Sequence, residues 1–311
     1  MRHEPVLLEE VVDLVRPANE AGVIVDATVG LGGHSEALLE RWPEARLIGI
    51  DRDPVALEAS RVRLARFGDR LRLIEGRYER LIDILESAGV TRVDAILADL
   101  GVSSMQFDTA ERGFSFRNDG PLDMRMGGEG PTAADVVNEM PEPELARILR
   151  QYGEEPQSRA IAAAIARARR SGPIRTTSEL AEVVRGVKKA RRGQIDPATL
   201  TFQALRIVVN EEIEGLAEFV RDGVDSLVPG GRIGVISFHS LEDRVVKQTM
   251  RELTGECRCP PRLPECVCDP VESVALVERR AVKASEAEMD RNPRSRSARL
   301  RVAERLQGKD E

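Results

Sequence analysis

Four apolar runs in the first hundred residues each stop at a polar residue or a glycine, with helical patterns between them. "VIVD" stops at Asp26, "RLIGID" at Asp51, "LRLIEG" at Gly76 and "VDAILAD" at Asp99. The intervening "SEALLERW" and "PVALEASRVRLARFG" repeat their apolar residues at helical spacing. Strands alternating with helices make βαβ units, and such units build a parallel sheet buried on both faces. Ligands of these sheets bind outside the carboxyl ends of the strands. Three of the four runs carry an Asp at that end, which marks the edge as a candidate site.

The character changes after Asp99. "GVSSMQFDTAERGFSFRNDGPLDMRMGGEG" has neither period, and a loop of that length inside a compact domain is usually functional. From Thr132 the pattern is helical. Thr132 with Asp135 reads as a capping box, Glu142 to Tyr152 is amphipathic, and "SRAIAAAIARARR" is a strong helix former. Another helix begins near Ser178, and Asp196-Pro197 opens a further one, with Val209, Ile213, Leu216 and Val220 in one stripe. These imply an all-helical subdomain over 105–208, inserted into an α/β core formed by 1–104 and 209–311. The sheet resumes in "PGGRIGVISF" and "VALVERRAVKAS". Ala298, Leu300 and Val302 then alternate with arginines at strand period, which suggests an antiparallel pair at the sheet edge.

With 311 residues, 32% charged and 41% hydrophobic, the composition is that of a soluble globular protein. No run approaches the roughly 18 apolar residues of a membrane span, and acids interrupt the apolar pattern of the N-terminus, unlike a signal peptide. A cytoplasmic protein without a membrane partner is expected. The net charge of -7 argues against a nucleic-acid partner, but Arg159 to Arg192 holds ten Lys or Arg against two Glu. Arg291 to Arg305 holds six Arg against one Glu. Such patches suit either a confined polyanion site or solvated helix faces.

In "VIVDATVGLGGHS" the glycines at 30, 32 and 33 give G-x-G, but the third glycine of a dinucleotide fingerprint is replaced by Ser35. Asp51, nineteen residues past Gly32, stands where an acid holds ribose hydroxyls. A ribose there suits NAD and S-adenosylmethionine equally. The absence of a second nucleotide-binding half favours S-adenosylmethionine, as does the placing of Asp26, Asp51 and Asp99, because a sulfonium cation is attracted to carboxylates and a pyrophosphate is not. Methyl transfer to an amine needs alignment and a group that steers the amine lone pair. Asp99 can supply that group, with Ser103 and Ser104 orienting the acceptor. The Asn- or Asp-Pro-Pro-aromatic segment of many amino-methylating enzymes is replaced here by "DLGVSS", so the residues alone leave the acceptor open.

Taken together, "DATVGLGGHS", "GIDRDP", "DLGVSSMQFDTAERGFSFRNDGPLDMRM", "ISFHSLEDRVVK" and "NPRSRSARLRVAER" resemble the bacterial ribosomal RNA small-subunit methyltransferase H family, in order and over nearly the whole chain. The resemblance implies a Rossmann-like S-adenosylmethionine-dependent methyltransferase acting on the exocyclic N4 amine of a cytosine in the decoding region of 16S ribosomal RNA, position 1402 of that RNA. It implies cofactor contacts at Gly32, Gly33, His34, Asp51, Tyr78, Asp99 and Gln106, and a substrate-recognising role for the helical insert. The partner is then 16S RNA or the small ribosomal subunit, with no DNA; a homodimer is left open.

His239, after the fifth strand, either orients substrate or accepts a proton, or else caps the loop; His3 reads as a surface or packing residue. Cys257, Cys259, Cys266 and Cys268 lie within twelve residues. Their C-x-C spacing is tighter than a zinc knuckle, and reduced thiols on a proline-stiffened loop are the plainer expectation, with no metal needed for the chemistry. Phe107, Phe114 and Phe116 are either a stacking surface for a base or core plugs, and Arg112, Arg117 and Arg125 either meet phosphates or pair within the loop. A nicotinamide oxidoreductase lacks its third glycine here. A non-catalytic ribosome-assembly factor, or a methyltransferase acting on a DNA or protein amine, remains as an alternative.

Overall fold

The computed structural model describes residues 4–189, 195–257, 259 and 271–308. The chain divides into two compact units, one formed by 1–101 with 214–311 and the other by 102–213. In the first unit the strands are β1 (Val23–Asp26), β2 (Arg46–Asp51), β3 (Leu71–Glu75), β4 (Val93–Asp99), β5 (Leu227–Ser237), β6 (Val274–Leu276) and β7 (Arg299–Arg305). Its helices are α1 (Leu8–Leu14), α2 (Gly33–Arg41), α3 (Pro54–Leu64), α4 (Leu81–Ser87), α11 (Leu216–Ser226), α12 (Ser240–Leu253) and α13 (Glu286–Arg291). The second unit contributes α5 (Ser104–Asp108), α6 (Ala133–Glu139), α7 (Glu142–Gln151), α8 (Ser158–Ala168), α9 (Thr177–Val187) and α10 (Thr199–Asn210).

The sheet has seven strands in the order β3-β2-β1-β4-β5-β7-β6. β1 to β5 run parallel, and β7 is antiparallel to both β5 and β6. This is the doubly wound α/β sheet with an antiparallel edge that the run-and-helix pattern predicts. Its parallel strands are continuous apolar segments because both faces are covered; every residue from Val93 to Ala98 is buried. The chain moves outward from β1 to β3 and then returns to place β4 against the other side of β1. That reversal opens a crevice at the carboxyl ends of β1 and β4. The stretch "VALVERRAVKAS" pairs less than expected: its ladder ends at Leu276, and only an isolated bridge from Val282 to Leu300 follows.

The second unit packs its helices on an apolar core that includes Leu145, Ile161, Leu180 and Leu205. Val102 and Val209 pack against that core, which is why the unit extends past 105–208 on both sides. The long aperiodic segment is anchored rather than loose. Leu122, Met124 and Met126 are buried, the Asn210 amide donates to the Met124 carbonyl at 2.7 Å, and its Oδ1 accepts from the Met126 N–H at 2.9 Å. Phe114 is buried and Phe116 packs edge-on against Phe202, so two of the three loop phenylalanines serve the core, while Phe107 is exposed. Arg112 donates to the carbonyls of Arg125 and Met126, and Arg125 grips the Asp123 carboxylate at 2.7 Å. Arg117 makes no side-chain contact of that kind among the described residues.

Part of the basic stretch also proves structural. Arg185 pairs with Asp196 at 2.9 Å, and Lys188 pairs at 2.8 Å with Glu155, which is fully buried. Removing the lysine strands a buried carboxylate, whose cost exceeds that of losing a surface ion pair. Lys188→Ala is expected to destabilise the chain by about 3 kcal/mol, read as a lower urea midpoint, whereas Arg175→Ala at an exposed site leaves the midpoint in place.

Candidate active site

The glycine turn between β1 and α2 is held from several sides. Gly30 and Gly32 take φ of 52° and 75°, conformations that glycine adopts at no steric cost. The Gly30 N–H donates to Asp51 Oδ2 at 2.8 Å, and the Gly30 carbonyl accepts from Ser60 Oγ at 2.6 Å. A side chain at Gly32 would press on Leu64 and Ser60, and one at Gly33 would collide with Pro5. The small residues therefore admit α3 and the N-terminal segment to the loop. The departure at Ser35 has a local reason too: its hydroxyl donates to Asp26 Oδ2 at 2.6 Å, while Asp26 Oδ1 accepts from the Thr28 N–H at 3.3 Å. Asp26 is buried, and burial raises its pKa to about 6 against the lowering effect of Ser35 and His34. Of the three strand-end acids, this one braces the turn with both of its oxygens.

Asp51 keeps capacity in reserve. Besides Gly30, it accepts the Asp53 N–H on Oδ1 at 2.9 Å, so each oxygen has one backbone donor and a further lone pair. Asp53 in turn caps α3 and fixes where the second strand ends. Burial raises the Asp51 pKa, and the two backbone hydrogen bonds oppose the shift.

Asp99 ends β4 next to β1. Its N–H donates to Thr28 Oγ1 at 2.6 Å, which ties the two strand ends together. Its Oδ1 is cut off from solvent and has no hydrogen-bond partner among the described residues. Burial, with the Glu242 carboxylate adding to it, raises the Asp99 pKa to about 7. Oδ2 faces His34 Nδ1 at 3.6 Å. His34 is buried in the first turn of α2, and its Nε2 lies 2.9 Å from the Val6 carbonyl, which can only accept. The proton therefore sits on Nε2, and burial lowers the His34 pKa so that the ring is neutral. The Nδ1 lone pair is left facing Asp99. The site thus offers one carboxyl group able to gain or lose a proton near neutrality, with an imidazole acceptor beside it.

A model of the MraW methylase family matches residues 1–306. The chain belongs to this family. Its relatives include a protein named ribosomal RNA small subunit methyltransferase H from Anaeromyxobacter dehalogenans, 52% identical over 308 residues, with 98% of each chain covered. Proteins of the same name from Geobacter sulfurreducens and Trichlorobacter lovleyi are 49% and 48% identical, each over 98% of this chain.

The crevice of this MraW family member suits S-adenosylmethionine, the methyl donor that the sequence resemblance implies. The open lone pairs of Asp51 match the two hydroxyls of a ribose, and the unpartnered oxygen of Asp99 matches a cationic or hydrogen-donating group. Tyr78 follows β3, with its ring edge-on to Phe219 at 4.9 Å between centroids. Ser103 and Gln106 belong to the second unit, where they form the capping box of α5: Ser103 Oγ accepts the Gln106 N–H at 3.2 Å, and Gln106 Oε1 accepts the Ser103 N–H at 3.0 Å. Ser104 opens that helix. His239 caps α12, its Nδ1 accepting the Glu242 N–H at 3.4 Å while Nε2 lies 3.2 Å from Glu242 Oε1. Of the roles open to His239, capping is the one its geometry fills.

Three contributors escaped sequence reasoning. Glu242, which raises Asp99, accepts the N–H groups of Phe238 and His239; its S/H-x-x-E spacing in "HSLE" is the capping-box signal that could have revealed it. The Val6 carbonyl and Glu288, which accepts the Leu7 N–H at 2.8 Å across 281 residues, carry no such local signal. Cys257 is exposed and Cys259 half-buried, the Cys259 N–H lying 3.4 Å from Cys257 Sγ. Cys266, Cys268 and His3 lie outside the described residues.

Proposed function

We propose that this chain is a cytoplasmic S-adenosylmethionine-dependent methyltransferase that modifies the N4 amine of a decoding-region cytosine in 16S ribosomal RNA. The observation that carries the reading is the half-buried Asp99 carboxyl at the end of β4, with Oδ2 3.6 Å from His34 Nδ1 and Oδ1 uncommitted among the described residues, in a member of a methylase family. Family membership and the name shared by its relatives support the RNA substrate.

In this reading Gly32, Gly33 and His34 form the wall of the cofactor crevice, Asp51 accepts the ribose hydroxyls, and Tyr78 and Gln106 complete the set that the resemblance implies. The cofactor supplies an electrophilic methyl group on a cationic sulfur. The Asp99 carboxylate accepts a hydrogen bond from the cytosine amine, whose lone pair is otherwise drawn into the ring, and turns that lone pair toward the methyl carbon. As the carbon–nitrogen bond forms and the carbon–sulfur bond breaks, the amine proton passes to Asp99, and His34 Nδ1 stands beside it as a second acceptor. Positioning supplies most of the acceleration, and proton acceptance adds to it. Ser103 and Ser104 orient the acceptor base, and His239 acts through Glu242 as a positioning residue.

The helical unit, 102–213, takes part in binding the RNA. Arg159, Arg167, Arg170 and Arg175 are exposed and without an acidic partner among the described residues, unlike Arg185 and Lys188. Changing all four to Gln is expected to lower RNA affinity and to reduce the slope of log K against log salt by up to about 3, at roughly 0.7 per phosphate for single strands. An unchanged slope in a filter-binding titration would remove these arginines from the interface. The function itself is tested by incubating the protein with tritiated S-adenosylmethionine and 16S RNA or small subunits from cells lacking the enzyme. Label in the RNA is expected; label in neither substrate, with cofactor binding intact by calorimetry, would move the acceptor to another molecule.

A further inference from the structure

A cavity of about 200 Å3 lies in the first unit between the start of α12 and the approach to β7. Its lining includes Ser240, Lys283, Arg296, Ser297 and Arg299. One buried water needs roughly 15 Å3 of such space, so the cavity has room for a tetrahedral anion together with its hydration. Lys283 and Arg296 are exposed and meet no acid within ion-pair reach among the described residues. Arg299 is held by Asp243 at 2.6 Å, but the same carboxylate also takes Arg301 at 2.7 Å, so one acid serves two guanidinium groups. Burial works against the ionised form of Asp243, yet the hydrogen bonds from Arg301 and Arg299 hold its pKa below the usual carboxylate range. The nearby acid Glu242 is turned inward onto the N–H groups of Phe238 and His239. His239 Nδ1 takes the Glu242 N–H in the first turn of α12, and the positive side chains at the cavity are Lys283, Arg296 and Arg299. Two of the six arginines between Arg291 and Arg305, Arg296 and Arg299, line it.

The cavity adjoins the reacting edge. Asp99 pairs with Ile236 across the β4–β5 ladder, and Phe238 and His239 follow two and three residues further along the neighbouring strand. At about 5 Å between strands and about 3.3 Å per residue, the cavity mouth lies on the order of 10 Å from the Asp99 position. We infer that this cavity binds a backbone phosphate of the RNA close to the target cytosine, with Arg296 and Lys283 as the principal ligands and Arg299 orienting from its bond to Asp243. The inference rests on the RNA-methylating reading above. A phosphodiester bound here positions the strand without reading its sequence, as phosphate contacts do, and leaves the base to the Asp99 edge.

The test measures binding and turnover separately. Lys283→Gln with Arg296→Gln is compared with Arg16→Gln with Arg46→Gln, two exposed cations remote from the cavity. The affinity for an in vitro 16S transcript is measured between low and moderate salt, alongside KM, kcat and the Kd for S-adenosylmethionine. The cavity variant is expected to bind the transcript about tenfold more weakly, with a salt slope lower by about 1 and kcat and the cofactor Kd unchanged. Equal losses in both variants, or an unaltered slope in the cavity variant, would overturn the inference. So would a weakened cofactor Kd with RNA binding intact, which would assign the cavity to the cofactor carboxylate. A wild-type protein that binds the transcript without methylating it would overturn the proposed reaction, yet the cavity assignment would stand if the variant lost that binding.

Discussion

Asp99→Ala is expected to lower kcat for methyl transfer by about a hundredfold to a thousandfold, the range for losing a group that steers and accepts a proton, with the fold retained. Asp99→Asn is the sharper variant, because it keeps the shape and a hydrogen-bond acceptor but not the charge. With a pKa near 7 in the folded protein, well above the ordinary carboxylate value, this group favours folding while protonated and costs stability as pH rises through 7. Asp99→Asn is therefore expected to melt higher than the parent at pH 8, by a gap that narrows as pH falls from 7 toward 4 and closes only below about pH 4, where the carboxyl is protonated in both states. Cofactor binding has the opposite slope. A sulfonium cation prefers the ionised carboxylate, so the parent is expected to bind S-adenosylmethionine about tenfold more weakly at pH 6 than at pH 8, by proton competition at a group with that pKa. The asparagine variant is expected to lose that dependence in a calorimetric titration. Retained turnover in Asp99→Ala, or an unchanged pH dependence in Asp99→Asn, would take the carboxyl out of the mechanism.

Asp51→Ala is expected to raise the S-adenosylmethionine Kd by about a hundredfold, the order expected when two hydrogen bonds to a charged acceptor are lost. Part of that loss is indirect, because Asp51 also accepts from Gly30 and Asp53 and thereby shapes the loop. Ser60→Ala separates the two effects. It removes the support of the Gly30 carbonyl and leaves the Asp51 carboxylate, so a loss of no more than a fewfold is expected. Equal losses in both variants would mean that Asp51 acts through the loop and not on the ribose.

The sheet was legible because the signals for β1 to β4 are local: an apolar run, a stop and a helical period, repeated. The same logic pointed to the carboxyl edge and to Asp51 and Asp99. What escaped depended on contacts between distant parts of the chain. That Asp26 turns inward follows from Ser35 and the burial of the β1 end, and that Gly33 must be small follows from Pro5, which only the folded N-terminal segment brings near. The aperiodic segment after Asp99 looked like an open loop because its apolar residues, Phe114, Leu122, Met124 and Met126, follow no period, yet each is buried in the helical unit. The basic stretch from Arg159 to Arg192 read as one feature and is at least two, since Arg185 and Lys188 satisfy Asp196 and a buried Glu155 while Arg159 and Arg167 remain exposed. Charge counts do not reveal which cations are already paired.

The most direct measurement digests the methylated RNA to nucleosides and identifies the labelled product by mass spectrometry. A carboxyl that steers an exocyclic amine predicts that the label is carried by N4-methylcytidine, and that this product is lost with Asp99→Ala. Label on a ring carbon, as 5-methylcytidine, or on a ribose hydroxyl would contradict the account, because neither position requires the amine-steering role assigned to Asp99.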